Sequence, residues 1–381
     1  MSNLSTDKIY LDFNASTPVD QRVADVMAES LRSAFGNPSS GHWAGVPARE
    51  LVERARERVA GLLGCSASEI VFTSGGSESN NLVLKGLFEK HRHSGAHIIS
   101  TQVEHPAIVE PCRFLERQGA RITWLPVDGT GRIDPGDLEK AISSDTILIS
   151  IMHANNEVGT IQPVKACAEI AHKHGIPVHT DAAQSVGKIK TRVDELGVDL
   201  LSIAGHKIYA PKGVGALYVQ NGLELEPLIH GAGHESGRRA GTESALLASS
   251  LGLACELASD LTHVARIQSL RNRLWESLKE VSGEKLVLNG HASECLPNTL
   301  NVSFVGRVGA EILNAIPQIA ASTGSACHSG QVELSPVLSA MGVSEDVGRG
   351  AIRFSLGRTT TEQEIDQAIR LITDYLNTSG S

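Results

Sequence analysis

The sequence contains no Cys-x-x-Cys pair, no run of basic residues, no apolar stretch approaching bilayer-crossing length and no internal repeat. Each absence removes a class of function. The six cysteines, Cys65, Cys112, Cys167, Cys255, Cys295 and Cys327, stand far apart, so neither a thiolate zinc site nor a dithiol redox centre is expected, and no metal is. Widely spaced free thiols suit a reducing cytoplasm. With 34 basic against 43 acidic residues the net charge is −9, and no basic stretch is interleaved with aromatics, which argues against nucleic acid as a partner. No apolar run comes near the ~18 residues that a membrane span requires. Met1 to Tyr10 lacks the apolar core and small-residue cleavage site of a secretory signal.

What is present is ordinary globular material, 41% hydrophobic residues and 37 glycines in 381 residues, enough for one large domain and a smaller one. From Asp20 to about Asp260, helical segments (Gln21 to Phe35, Ala48 to Leu63, Glu78 to Lys90, Ala107 to Arg117, Lys165 to His174) alternate with strand-like runs. The runs are Glu69 to Thr73, His97 to Thr101, Arg121 to Pro126, Thr146 to Met152, Pro177 to Thr180, Val198 to Ile203 and Gly215 to Val219. This alternation predicts an α/β fold with a mostly parallel sheet flanked by helices, and ligands beyond the C-terminal strand ends. Leu261 to Val281 then shows one apolar helical face, followed by strand-like Thr299 to Phe304 and Ala351 to Ser355. A helix opening at Ser335-Pro336 and a last one opened by Thr361 with Glu364 in capping-box spacing complete a smaller α+β domain. The expected division is 15–260 for the large domain, with 1–14 and 261–381 forming the small one.

The chemistry-bearing residues fall where strands end. Lys207 follows the apolar run Val198 to Ile203, Asp181 closes Pro177 to Thr180, and Glu104-His105 follows His97 to Thr101. A lone lysine there is usually solvated, and a lone aspartate usually a turn residue. Together they fit pyridoxal 5'-phosphate (PLP), whose aldehyde condenses with a lysine and whose ring nitrogen needs an acid to stay protonated. Thr73 to Ser79, a Gly/Ser turn into a helix, would serve as the phosphate seat of such a cofactor, although by itself it reads better as an ordinary N-cap by Ser77. Asn155-Asn156 and Gln184 reach the same rim and could meet the ring hydroxyl; both asparagines could instead serve a turn. Arg353, on a second-domain strand, has the forked donor geometry for a substrate carboxylate. Gly324 to Gly330 surrounds Cys327 with small residues, a composition that predicts mobility and suits a thiol that swings into a cleft, with His328 favouring the thiolate.

These residues resemble the cysteine desulfurases of the NifS/IscS type, PLP enzymes of fold type I grouped with the class V aminotransferases. The likeness runs almost end to end through Tyr10 to Ala15, Gly36 to Ser40, Thr73 to Asn81, Glu104-His105-Pro106, Asn155-Asn156-Glu157, His179 to Gln184, Gly205-His206-Lys207, Arg239 to Thr242, Ser325-Ala326-Cys327 and Arg353 to Arg358. The resemblance implies that Lys207 is the Schiff-base lysine, Asp181 the partner of the pyridinium and His105 the stacking residue. It implies that Asn156 and Gln184 contact the ring oxygen, and that Gly76, Ser77, His206 and, from the other subunit of a homodimer, Thr242 hold the phosphate. Asn37 and Arg353 would hold the substrate carboxylate. Cys327 would be the nucleophile that takes sulfur from L-cysteine, leaves alanine and hands a persulfide to a sulfur-acceptor or iron–sulfur scaffold protein. One departure is Ala204, where many relatives carry a serine hydroxyl for the phosphate. Another is the run Ala326-Cys327-His328-Ser329, which is similar to the selenocysteine lyases and leaves L-selenocysteine as an alternative substrate. A class V aminotransferase or epimerase would not need Cys327.

Overall fold

Seven apolar segments pair into one sheet: β1 (Ile70–Thr73), β2 (His97–Thr101), β3 (Arg121–Leu125), β4 (Thr146–Ser150), β5 (Val178–Asp181), β6 (Leu200–Ala204) and β7 (Gly215–Val219). The structure, a computed structural model, describes residues 8–92, 96–323, 327–328, 331–332 and 334–378, and only the backbone of 327–328 and 331–332. The strand order is β1-β7-β6-β5-β4-β2-β3, with β7 antiparallel to both neighbours and the other pairings parallel. Every position of β2, β4, β5, β6 and β7 is buried, as expected of strands covered on both faces by helices. Arg121 opens the edge strand β3 exposed, where a charge does no harm.

The strand expected over Thr146 to Met152 stops at Ser150, because the Met152 N–H donates to the Glu104 carboxylate at 2.8 Å and not to a strand. The helix Ala245–Ala258 has no counterpart in the sequence reading. It is apolar or small on nearly all sides, so it lacks the one-sided stripe that marks a surface helix. It is a buried helix packed on Gln21–Ser33 and Val46–Leu63, and at Gly252 the approach is so close that a Cβ would lie 2.6 Å from the Ala55 Cα.

The C-terminal part builds a three-stranded antiparallel sheet from Leu286–Asn289, Thr299–Phe304 and Ala351–Ser355, backed by the helices Val264–Ser282 and Glu362–Thr378. The capping box at the last helix is present: the Thr361 N–H donates to Glu364 at 2.8 Å and the Glu364 N–H to the Thr361 hydroxyl at 3.2 Å. Ile9 and Leu11 belong to the core of this part, with Leu274, Val302 and Phe354. That grouping supports our proposed division into 15–260 and 1–14 plus 261–381. The chain between them, Asp12 to Ala15, runs along the seam and is tied on one side by Asn14 N to Ser355 Oγ, 2.9 Å.

Candidate active site

Because β1, β2, β4, β5 and β6 run parallel, their C-terminal ends share one rim. The segments that leave it, together with Asn14 and Arg353, enclose a cavity of about 330 Å³. Its wall includes Gly76, Ser77, His105, Asn156, Asp181, Gln184, His206, Lys207 and Arg353, nine residues singled out from the sequence.

At one end the helix Gly76–His91 begins, presenting backbone N–H groups. The turn into it needs glycine: Gly75 has φ 150°, and a Cβ on the facing Gly215 would lie 2.6 Å from the Gly75 Cα. Gly75 is thus the N-cap and Ser77 lies inside the first turn, free of the capping task that the sequence allowed it.

Asp181 closes β5 with both oxygens engaged, Oδ2 by Asn80 Nδ2 at 2.7 Å and Oδ1 by Ala183 N at 2.9 Å. Lys207 stands opposite on the short turn after β6, its Nζ donating to the carbonyls of Asn14 (2.6 Å) and Ala15 (2.8 Å). Burial and the Arg353 charge bring its amine down to about 8, with Asp181 and Asp12 opposing. The cavity therefore holds a lysine that reaches the neutral, nucleophilic form near physiological pH.

His105 is the N-cap of the helix Pro106–Glu116: its Nδ1 accepts from the Ala107 N–H at 3.0 Å. Burial and Lys207 lower its pKa, with Asp181 opposing, so the ring is a neutral, flat surface with the proton on Nε2. His206 is lowered to about 4 by burial and then by Lys207, Lys212 and His105.

Arg353 is buried, with Nη2 donating to Asp12 Oδ1 at 2.7 Å and Nη1 to the Asn156 carbonyl at 3.0 Å. The ion pair with Asp12 leaves the arginine on the cavity wall, with a buried Nε that has no partner among the described residues. A carboxylate ligand would meet an unfinished fork.

Glu104, beside His105, is buried, with Oε1 accepting from Thr101 Oγ1 (2.9 Å) and Met152 N (2.8 Å) and Oε2 without a partner among the described residues. Burial raises its carboxyl to about 8; the two hydrogen bonds oppose this and Asp181 adds to it. The fold thus keeps a proton that the unfolded chain releases above about 4.5, so stability falls as pH rises between these values. Relative to Glu104→Gln, the wild-type melting temperature is expected to drop from pH 4.5 to about 8 and to level off beyond. A difference independent of pH would show that the carboxylate is already ionised in the fold.

Two expected residues lie elsewhere. Asn37 is exposed and accepts from Ser39 N at 2.9 Å, away from the cavity wall. Thr242 lines a separate hollow with Ser74 and Arg239, held by the Arg239–Glu78 ion pair at 2.9 Å. Cys327–His328 pairs antiparallel with Gln331–Val332, while their side chains and residues 324–326 and 329–330 lie outside the described residues. The expected mobility of that loop is likewise outside them. The other five cysteines carry no disulfide; burial pushes Cys65, Cys167 and Cys255 up to about 12 and Cys112 higher still, where thiols are inert. Not anticipated were Asn80, Asn14 and Lys188, while Glu104 was named only beside His105, without a task of its own. Asn80 and Asn14 sit inside the quoted runs, and a polar residue on an apolar helix face was the available signal for Asn80.

The residues fit a phosphorylated pyridine aldehyde. An anion seat, a carboxylate and an amine converge on one cavity, and the buried Asn80 Oδ1 and Arg353 Nε lack partners among the described residues. The family model for Aminotransferase class-V matches residues 9–368. A cysteine desulfurase IscS of Dictyoglomus turgidum is 46% identical over 369 residues, covering 96% of this chain and 93% of its own. Among solved structures, a NifS-like protein superposes with a TM-score of 0.91 at 38% identity, over 97% of this chain and all of its own. A protein described as SspA in complex with cysteine gives a TM-score of 0.83 at 38% identity, over 93% of this chain and all of its own. The fold, the cavity and these likenesses agree, and the chain belongs to the class-V aminotransferase family.

Proposed function

We propose that this chain is a PLP-dependent cysteine desulfurase that converts L-cysteine to L-alanine and carries the released sulfur as a persulfide on Cys327. The observation that carries this reading is the convergence of Lys207, Asp181, His105 and Arg353 on one cavity, in a chain 46% identical to proteins named cysteine desulfurase IscS. PLP, when bound, supplies an electron sink for the substrate's Cα carbanion.

The residues divide the work. Lys207 holds the cofactor through its amine and, once free, takes the Cα proton; a pKa near 8 suits both tasks. Asp181 presents its carboxylate to the pyridine nitrogen, kept in place by Asn80 and Ala183. His105 stacks on the ring. Gly76, Ser77 and His206 hold the phosphate, with Thr242 supplied by the second subunit of a homodimer, consistent with its lying outside its own chain's cavity. Asn156 and Gln184 meet the ring oxygen. Arg353 orients the substrate carboxylate, and Asn37 joins it. The Cys327 thiolate attacks the substrate sulfur: the S–S bond forms, the Cβ–S bond breaks, and the electron pair left on carbon is protonated to give alanine. A sulfur-acceptor or iron–sulfur scaffold protein takes the sulfur on. No helix among the described residues is long and apolar enough to cross a membrane, and a cytoplasmic setting is proposed from the free thiols.

The test is mass spectrometry after incubation with L-cysteine. One sulfur added to the Cys327 peptide, with alanine released, is the expected result. Alanine without that adduct removes Cys327 from the mechanism, and no alanine removes the activity.

Ala204 sets a further expectation. Its Cβ would lie 3.3 Å from a Cβ built at Gly76, which places it against the phosphate seat. A serine there would add a hydrogen bond to a charged group, on the order of 1.5–3 kcal/mol, so Ala204→Ser is expected to tighten PLP binding about tenfold or more. Equal affinities by equilibrium dialysis would refute this.

A further inference from the structure

Lys188 has no part in the reaction above, yet its amine turns inward beside the cavity. Its Nζ donates to Gln184 Oε1 at 2.9 Å and to Asn14 Oδ1 at 3.1 Å. Both acceptors are neutral amide oxygens, a poor setting for an ammonium ion. Burial, with the charges of Lys207 and Arg353, holds its amine well below the ordinary lysine range. Its position is explained by the donors it offers.

An amide has two ends, and which one faces a ligand depends on what holds the other. Lys188 occupies Oε1 of Gln184, while Nε2 donates to the Asn14 carbonyl at 3.0 Å. The second N–H on Nε2 is left for the cavity that Gln184 lines. Turned over, the amide would set Oε1 against the Asn14 carbonyl and offer no such donor. Asn14 cannot move aside to relieve that clash. Its Nδ2 donates to Thr299 Oγ1 at 2.8 Å, and its Oδ1 also accepts from Asn298 Nδ2 at 3.1 Å.

We infer that Lys188 is a positioning residue that pins Gln184 with its N–H toward the cavity, making that wall a hydrogen-bond donor for the cofactor's ring oxygen. The inference rests on the PLP reading and on the role given to Gln184. A donor there favours the ring oxygen as an anion. Without it the oxygen retains its proton more often, and the protonated and deprotonated forms of the bound cofactor absorb in different bands.

The experiment takes the full chain loaded with PLP and compares the two bands at fixed pH in wild type, Lys188→Met, Lys188→Gln, Gln184→Met and the double variant Lys188→Met/Gln184→Met. Lys188→Met is expected to raise the protonated-to-deprotonated ratio about three- to tenfold. Lys188→Gln retains an N–H donor and is expected to stay within about twofold of wild type. In the Gln184→Met background, Lys188→Met is expected to change nothing, since the path of its effect is gone. An unchanged ratio in Lys188→Met, or an equal shift with Gln184 already replaced, overturns the inference. Should Lys188→Met not fold, Lys188→Leu, which also lacks the donor, is read in its place. A wild-type chain showing neither band would instead overturn the PLP reading itself.

Discussion

Lys207→Ala is expected to end turnover of L-cysteine and to leave a chain that no longer retains PLP through borohydride reduction and dialysis. The loss of a positioned proton acceptor alone costs about 10²- to 10⁴-fold, and the covalent hold on the cofactor goes with it. The reason this lysine can do both lies in its surroundings. Its Nζ donates to two backbone carbonyls at 2.6 and 2.8 Å, contacts that orient the amine without adding a counter-charge. Burial and Arg353 then bring it to about 8, so wild-type PLP capture by the apo-chain is expected to quicken as pH rises toward that value. A small amine such as methylamine, added to Lys207→Ala, should restore part of the proton transfer. A reducible adduct still formed by Lys207→Ala would show that another amine performs the task, Lys188 beside Gln184 being one candidate.

Cys327→Ala is expected to lower alanine formation from L-cysteine by about 10³-fold or more, the scale seen when a nucleophile is removed. Lys207, Asp181 and His105 are untouched by the change, so PLP binding and its spectrum are expected to match wild type. L-Selenocysteine is expected to suffer less in the same variant, because selenium leaves carbon more readily and leans less on attack by a thiolate. Alanine formed at the wild-type rate by Cys327→Ala would remove Cys327 from the sulfur transfer, and turnover of L-cysteine without alanine would point to an aminotransferase or epimerase using the same pocket.

The sheet was legible because its strands are short runs alternating with helical segments, and in parallel strands the residues at or just beyond the C-terminal ends must share a rim. Asp181 and Lys207 could be paired from sequence for that reason alone. The helix Ala245–Ala258 was not legible, since burial on all sides erases the periodicity by which helices are recognised. Among site residues, those acting directly on a ligand have side-chain types that announce their chemistry. Asn80, Asn14 and Lys188 act on Asp181, Lys207 and Gln184, and nothing in a linear string says which buried amide faces which. Thr242 escapes a single chain for another reason: the geometry that would give it work is proposed to include a second copy.

His105, proposed to stack on the cofactor ring, also caps the start of a helix. Since its Nδ1 is committed to the Ala107 amide, the imidazole cannot tilt without uncapping Pro106–Glu116. Warming that frays this first turn would therefore slacken the lid over the cofactor while the seven strands beneath are still intact. Thermal inactivation would then begin as a loss of ring alignment, at temperatures where the bulk of the molecule has yet to melt.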